Sequence, residues 1–352
     1  NGKTTTKEFA HSILASFKST YASQGSFNNH WGVPFSLLSA QQEDEIVVQE
    51  MGMNHKGEIA TLCHIAEPDI VLCTMVGRAH IGELGSQQAI AEAKEEIYQC
   101  SPKAQFIFNL DNEFTLNMFE KYKNRKSPRN WTFSSFNEQA DIKLRAEKIN
   151  TEGLYLVGRI CDCEGSAVVP TFGRQNIVNV MSAAALALSA GMSPQDIWKQ
   201  LPSLKTTWGR NQWMRHSSGA RILFDAYNAN PDSMEALIKN IFEWEERSGK
   251  VILILGEMKE LGGRTEIEHQ KLGELAASIS PDIVWFVGPS GESFKRGLQS
   301  AQFSKNLYLS GSFDRDLAVK ISEVLSKEDL VLIKASRAMK LEQVIDSWNP
   351  SK

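Results

Sequence analysis

Short apolar runs recur along this chain at spacings that predict alternating strands and helices. Ile46-Val47-Val48-Gln49-Glu50-Met51, Ile70-Val71-Leu72-Cys73-Thr74-Met75-Val76 and Phe106-Ile107-Phe108-Asn109-Leu110 read as buried strands. Between them the pattern is helical, most clearly over 87–99, where Ile90, Ala93, Lys94 and Ile97 recur near one face. Continuous apolar strands separated by helices specify a parallel α/β sheet, whose ligands sit beyond the carboxyl ends of the strands. Residues 121–135 are polar and basic and read as a surface excursion. From Trp131 to Phe172 the pattern becomes an alternation broken by turns, predicting an antiparallel subsheet appended to the parallel one. An alanine-rich helix follows over 173–191, then a short one capped by Ser193 with Pro194 at its first position.

The segment 201–208, with a proline and a short polar run, is the expected boundary between a domain of residues 1–205 and one of residues 206–352. Beyond it, strands are predicted at 221–226, 251–256, 282–288, 306–309 and 330–335. Helices are predicted near 231–247, 264–279, 290–300, 313–326 and 337–348. This repetition is that of a doubly wound, Rossmann-like domain, but Gly-x-Gly-x-x-Gly is absent and no dinucleotide is assigned.

Composition narrows the function classes. Hydrophobic residues make up 42% of the chain and charged residues 23%, as in ordinary globular proteins. A net charge of −4 leaves no basic stripe for nucleic acid, and no apolar run is long enough for membrane insertion. Five cysteines at irregular spacing form no disulfide framework, which fits the cytoplasm. Cys161-Asp162-Cys163 lacks a second ligand pair at zinc spacing and is better explained by alternation within a strand.

The candidate chemistry begins at the first residue. Asn1-Gly2-Lys3-Thr4-Thr5-Thr6 runs directly into a helical stretch, and Gly-Lys-Thr opening a helix is the second half of a phosphate-binding P-loop. Glycine lets the backbone close on phosphate, lysine reaches the β- and γ-phosphates, and the hydroxyl of Thr4 ligates magnesium. The ordinary alternative is a plain helix N-terminus with Thr4 or Thr5 as its cap. Phosphoryl transfer also needs a metal with oxygen ligands and cations for the transferring group. Glu50 at a strand end fits magnesium, His80 a second metal, Arg210 the γ-phosphate and Asp225 a ribose hydroxyl. Each has a bland counterpart: a turn cap for Glu50, a loop histidine for His80, a surface charge for Arg210. What outweighs these is that residues of the right types fall on one face of an α/β sheet.

Taken together, the motifs resemble the Mur ligase family, and within it the ligases that add D-alanyl-D-alanine. The resemblance is carried by Asn1–Glu8, by the Asn28-Asn29 loop ending Gly32-Val33-Pro34, and by Glu50-Met51-Gly52-Met53-Asn54-His55-Lys56-Gly57-Glu58-Ile59. It continues in Ala79-His80, Ala93-Lys94-Glu95-Glu96-Ile97 and Asn176-x-x-Asn179. In the second half it rests on Gly209-Arg210, Asp225-Ala226-Tyr227-Asn228-Ala229-Asn230-Pro231, Gly256-Glu257-Met258-Lys259-Glu260-Leu261-Gly262 and Lys334-Ala335-Ser336-Arg337. Nearly the whole chain is covered. Gln175 departs from a frequent histidine, and Lys259 is atypical.

The resemblance implies a P-loop ATPase-like central domain and a Rossmann-like ligase domain. It implies an ATP- and Mg2+-dependent enzyme of peptidoglycan synthesis that joins D-Ala-D-Ala to UDP-N-acetylmuramoyl tripeptide through an acyl phosphate, and a monomer is expected. Asn1, Gly2, Lys3, Thr4 and Thr5 would cradle phosphate. Thr4 with Glu50 would hold one magnesium, and His80 with a carbamylated Lys94 a second. Asn176 and Asn179 would meet adenine, Asp225 the ribose, and Arg210 the γ-phosphate as the domains close. Asn28 and Asn29, with Asn228, Asn230, Ser336 and Arg337, are the implied substrate contacts. The family's N-terminal UDP-gripping domain and the first half of the P-loop do not fall within these 352 residues. Alternatives are a sister Mur ligase, a folylpolyglutamate-like synthase, or a catalytically silent nucleotide-binding fragment. A GTPase or kinase is disfavoured because no Asn-Lys-x-Asp or kinase signature occurs.

Overall fold

The computed structural model describes residues 1–79, 81–125, 128–150, 152–242 and 248–348. The chain divides into two α/β units, Asn1–Thr206 and Thr207–Lys352. In the first, β1 (Thr20–Ala22) and β2 (Ile46–Val48) form a parallel pair. A six-stranded sheet runs in sequence order through β3 (Ile70–Cys73), β4 (Gln105–Asn109), β5 (Trp131–Ser134), β6 (Ile142–Asn150), β7 (Gly153–Ile160) and β8 (Cys163–Val169). Strands β3 to β6 pair in parallel, and β6 to β8 are antiparallel.

Strand β5 corrects the expectation for 131–134. Despite its basic flank it joins the parallel part of the sheet, with Phe133 wholly buried. Of the two cysteines read as part of a strand, Cys163 opens β8 and Cys161 is reassigned. Ile160 pairs with Cys163, so Cys161-Asp162 is a two-residue hairpin turn with Cys161 at φ +50°, not part of a strand.

Consecutive strand residues point to opposite faces. Ile107 therefore packs with Phe9, Ile13, Val180 and Ala184, from the helices Lys3–Leu14 and Asn176–Ser189. Its neighbours Phe106 and Phe108 pack with Leu62, Ile90, Tyr98 and Met118, from the helices Glu58–Ala66, Gln87–Gln99 and Glu113–Tyr122. Residues of β2 and β3 line a shared cleft of about 550 Å3 together with Leu14, Ile97, Leu186 and Ala190.

The second unit holds β9 (Gln212–Arg215), β10 (Arg221–Phe224), β11 (Val251–Gly256), β12 (Ile283–Val287), β13 (Asn306–Ser310) and β14 (Leu330–Lys334), in the order β13-β12-β11-β14-β10-β9. Only β9 is antiparallel. Every residue of β11, β12 and β14 is buried, as expected of strands covered on both faces. The predicted helix 231–247 is seen as Pro231–Phe242, and residues 243–247 lie outside those described. No helix among the described residues is long and apolar enough to cross a membrane.

His269, on the helix Thr265–Ser278, is fully buried and ties down the turn that follows β11. Its Nε2 accepts the Met258 N–H at 3.0 Å while Nδ1 faces the Thr265 carbonyl at 2.7 Å. That pattern requires the neutral ring with its proton on Nδ1. Burial holds its pKa below the usual histidine value of 6.5. The stabilisation is therefore complete above that value and is lost as pH falls below it. Urea unfolding at pH 7 and pH 5.5 should show a larger loss of stability for the native chain than for His269→Gln. Equal losses would exclude His269 as a source of the acid sensitivity.

Candidate nucleotide and ligase site

The helix Lys3–Leu14 begins after Gly2, which has φ +78° and offers no side-chain cap. A Cβ on Gly2 would lie 2.3 Å from Asn179 Oδ1, so both the backbone angle and the packing demand glycine. Asn179 reaches this position because Asn176 and Asn179 lie three apart on one helix and share a face. Thr6 Oγ1 donates to Asn179 Oδ1 at 3.3 Å, Asn179 Nδ2 to Asn176 Oδ1 at 2.8 Å, and Asn176 Nδ2 to the Phe172 carbonyl at 2.7 Å. Thr74 Oγ1 holds the Asn1 carbonyl at 2.9 Å. Gly2, Lys3, Asn176 and Asn179 are thus gathered where a helix opens, and Thr4 and Thr5 are buried in its first turn. The first N–H groups of a helix have no acceptor within it and attract anions.

Glu50 follows β2 and is 5% exposed. Its backbone N–H donates to Ser23 Oγ at 3.2 Å, and Asn28 Nδ2 donates to its Oε1 at 2.6 Å. Oε2 is buried with no hydrogen-bond partner among the described residues. A buried carboxylate oxygen without a donor is costly, and a cation removes that cost. Glu50 therefore fits a metal, although no group of three or more His, Cys, Asp and Glu gathers at metal-binding spacing among the described residues. Lys3 and Glu50 line the same cleft. Lys3 and Lys94 line a smaller cavity of about 60 Å3 with Met53, Cys73 and Thr74. Lys94 Nζ donates to the Met75 carbonyl at 2.8 Å, and burial raises the pKa of the neighbouring Cys73 thiol. His80 lies outside the described residues.

The asparagines of the 28–29 loop separate. Asn28 orients Glu50, whereas Asn29 Oδ1 accepts the N–H groups of Trp31 and Gly32 at 3.1 and 2.8 Å, shaping the entry to the helix Gly32–Ser39. A residue missed in the sequence is Lys7. It is 3% exposed, paired with Glu8 at 2.9 Å, and donates to the carbonyls of Ser23 and Gly25. The available signal was a lysine among Thr4, Thr5, Thr6 and Phe9 on a helix start.

In the second unit the candidates gather at the carboxyl ends of β10, β11 and β14, where ligands of such sheets bind. Asp225 Oδ1 accepts the Asn211 N–H at 3.2 Å and Oδ2 accepts Lys334 Nζ at 2.6 Å. The Arg210 guanidinium lies 4.2 Å from the centre of the Tyr227 ring, over its face. Ser336 Oγ accepts the Lys259 N–H at 3.1 Å and donates to the Ala229 carbonyl at 3.3 Å. Asn228 Oδ1 accepts the Ala229 N–H, and Asn230 Oδ1 accepts the Ser233 N–H at the start of the helix Pro231–Phe242. Arg337 pairs with Glu342 at 2.9 Å and lies over the Trp208 ring. Lys334 is the second residue missed, a charged end to an apolar strand.

Known proteins are similar to this chain in sequence and fold over nearly all of its length. The Mur ligase middle domain family model matches residues 1–187, and the Mur ligase glutamate ligase domain model matches residues 209–337. The UDP-N-acetylmuramoyl-tripeptide–D-alanyl-D-alanine ligase of Bacillus subtilis is 35% identical over 98% of this chain and 73% of its own length. The Escherichia coli ligase of the same name is 29% identical over 98% and 74%. Among solved structures, MurF from Acinetobacter baumannii superposes with a TM-score of 0.86 at 28% identity, covering 100% of this chain and 75% of that one. MurF from Thermotoga maritima, in complex with ADP, gives 0.83 at 28% identity, over 99% and 78%. A folylpolyglutamate synthase at 14% identity and TM-score 0.65 shares the fold alone. This chain belongs to the Mur ligase family.

Proposed function

We propose that this chain is an ATP-dependent carboxylate–amine ligase that joins D-alanyl-D-alanine to a UDP-N-acetylmuramoyl tripeptide in peptidoglycan synthesis. For the use of ATP, the observation that carries the reading is the glycine-opened helix at Lys3 lining one cleft with Glu50, whose buried Oε2 lacks a donor among the described residues. For the substrates, support comes from the named relatives, which match 98% of the chain. A cytoplasmic reaction, where ATP is supplied, fits this reading.

A carboxylate is a poor acyl donor until one of its oxygens becomes a phosphate. The terminal carboxylate of the tripeptide attacks the γ-phosphorus, the bond to the bridging oxygen breaks, and ADP leaves an acyl phosphate. The amine of D-Ala-D-Ala then attacks the carbonyl carbon and loses a proton, and the tetrahedral adduct expels inorganic phosphate. In this reading the N–H groups of residues 2–5 and the Lys3 ammonium hold the phosphate oxygens and offset their growing charge. Asn1 flanks that cradle, and Asn176 and Asn179 brace it on the adenine side. The second unit offers Arg210 as a cation for phosphate, Asp225 as an acceptor for ribose hydroxyls, and Asn228, Asn230, Ser336 and Arg337 as the surroundings of the peptide substrates. Asn28 and Asn29 serve the muramoyl peptide, Asn28 through its hold on Glu50. Thr4 and Glu50 would hold one magnesium, and His80 with carbamylated Lys94 a second. Magnesium, when bound, neutralises phosphate charge.

Phosphate release from ATP should require both UDP-muramoyl tripeptide and D-Ala-D-Ala. Release with neither would make the chain an uncoupled ATPase, and no release in an assay that a known ligase passes would overturn the reading. Glu50→Gln keeps the contact with Asn28 but removes the charge behind the bare oxygen. Its turnover should fall by roughly 100-fold or more, with a melting temperature equal to or above that of the native chain. A matching loss of stability would reassign Glu50 to the fold.

A further inference from the structure

We propose that Lys334 is a positioning residue that aims the Asp225 carboxylate and the turn after it, and so sets how strongly the second unit discriminates ribose hydroxyls. The inference rests on the reading of Asp225 as the ribose acceptor.

Lys334 is 2% exposed and ends β14, whose other residues are all apolar. Strand β14 lies between β11 and β10 in the middle of the sheet, a position that normally excludes an ammonium group. The three N–H donors of a lysine need acceptors when water is absent, and here they come from one short segment. Nζ lies 2.6 Å from Asp225 Oδ2, 3.0 Å from the Asn228 carbonyl and 3.5 Å from the Asp225 carbonyl. The register enforces the encounter. Phe224 pairs with Ile333, and the Asp225 N–H donates to the Ile333 carbonyl at 2.9 Å, so the two side chains leave adjacent parallel strands at the same level.

Among the described residues each Asp225 oxygen therefore has one protein donor: Lys334 on Oδ2 and the Asn211 N–H on Oδ1. A carboxylate oxygen accepts about two hydrogen bonds, so both can take a further donor from the same fixed orientation. A ribose diol supplies two. Ser336, two residues beyond Lys334, holds the Ala229 carbonyl and so clamps the far end of the same turn. Without the ammonium, Oδ2 and the Asn228 carbonyl lose their common donor, and the carboxylate is free to rotate away from the diol.

The test compares kcat/KM for ligation with ATP and with 2′,3′-dideoxy-ATP, using the full chain. The native enzyme should prefer ATP by about tenfold or more, the order expected when a hydrogen-bonding site meets an analogue lacking its partner. Lys334→Met should reduce that preference to about twofold or less, mainly through KM for ATP, and Lys334→Arg should regain part of it. If Lys334→Met does not fold, the double variant Lys334→Met/Asp225→Asn removes both charges and is compared with Asp225→Asn. Equal KM values for ATP support the proposal, and a further rise in the double variant overturns it. A folded Lys334→Met that keeps the native preference, losing only overall rate or melting temperature, overturns the proposal and makes Lys334 purely structural. Failure of the reading beneath it is visible before any substitution. A native chain without ligase activity sinks the proposed function, and a native ligase that does not distinguish the two nucleotides sinks the ribose reading together with this inference.

Discussion

The amide oxygen of Asn179 sits where a side chain on residue 2 would have to be, and the first unit's candidate site depends on that contact. Gly2 is the residue that can supply a left-handed backbone and an empty Cβ position at once. Its consequence is long in sequence and short in space: Thr6 meets Asn179 across 173 residues. The two helices share one buried core cluster that includes the small residues Ala10, Ala183, Ala184 and Ala187. The polar chain from Thr6 through Asn179 and Asn176 to the Phe172 carbonyl then fixes their register, since a slip would bury unmatched amides. A rigid helix start is what a phosphate cradle needs, because its N–H groups are useful only if they already point at the ligand.

Buried charge separates scaffolding from binding in this molecule. Lys7 and Lys334 are both almost fully enclosed, and both find their acceptors within the protein. Such groups cost hydration and are kept for the geometry they impose. Lys7 ties the start of the first helix to the carbonyls of Ser23 and Gly25, and Ser23 in turn receives the Glu50 N–H. Glu50 is enclosed to a similar degree, yet one of its oxygens has no donor among the described residues. The contrast lies in completeness of pairing, not in depth, and it is the observation on which the proposed magnesium role of Glu50 rests.

Where the hydrophobic pattern was unambiguous, the fold was legible. Val251–Gly256 is a continuous apolar run and is a strand over those residues, and the helix Gln87–Gln99 starts behind Ser86, whose side chain accepts the Ala89 N–H. The strands overlooked, Thr20–Ala22 and Gln212–Arg215, are short, and no residue of either is fully buried, so their apolar signal is weak. Trp131–Ser134 was hidden by its basic approach, although its pairing is decided by the neighbours β4 and β6. At the site, residue types were readable but commitments were not. A lysine in a helix or at a strand end looks like surface charge until the carbonyls facing it are known, and those belong to turns distant in the chain.

The asparagines show the same limit from the other side. Asn28, Asn29, Asn228 and Asn230 are alike in type, and sequence resemblance groups them as substrate contacts, but an amide can serve backbone as readily as ligand. Asn29 and Asn230 use their oxygens to order the turns that open the helices Gly32–Ser39 and Pro231–Phe242. Asn28 hands its donor to a carboxylate, and its own carbonyl accepts the Gly52 N–H at 2.8 Å. That pair of bonds fastens the segment after β2 at two points, one of them Glu50 itself. A change at Asn28 would therefore act on the buried carboxylate first, and any effect on peptide substrate would be secondary to it.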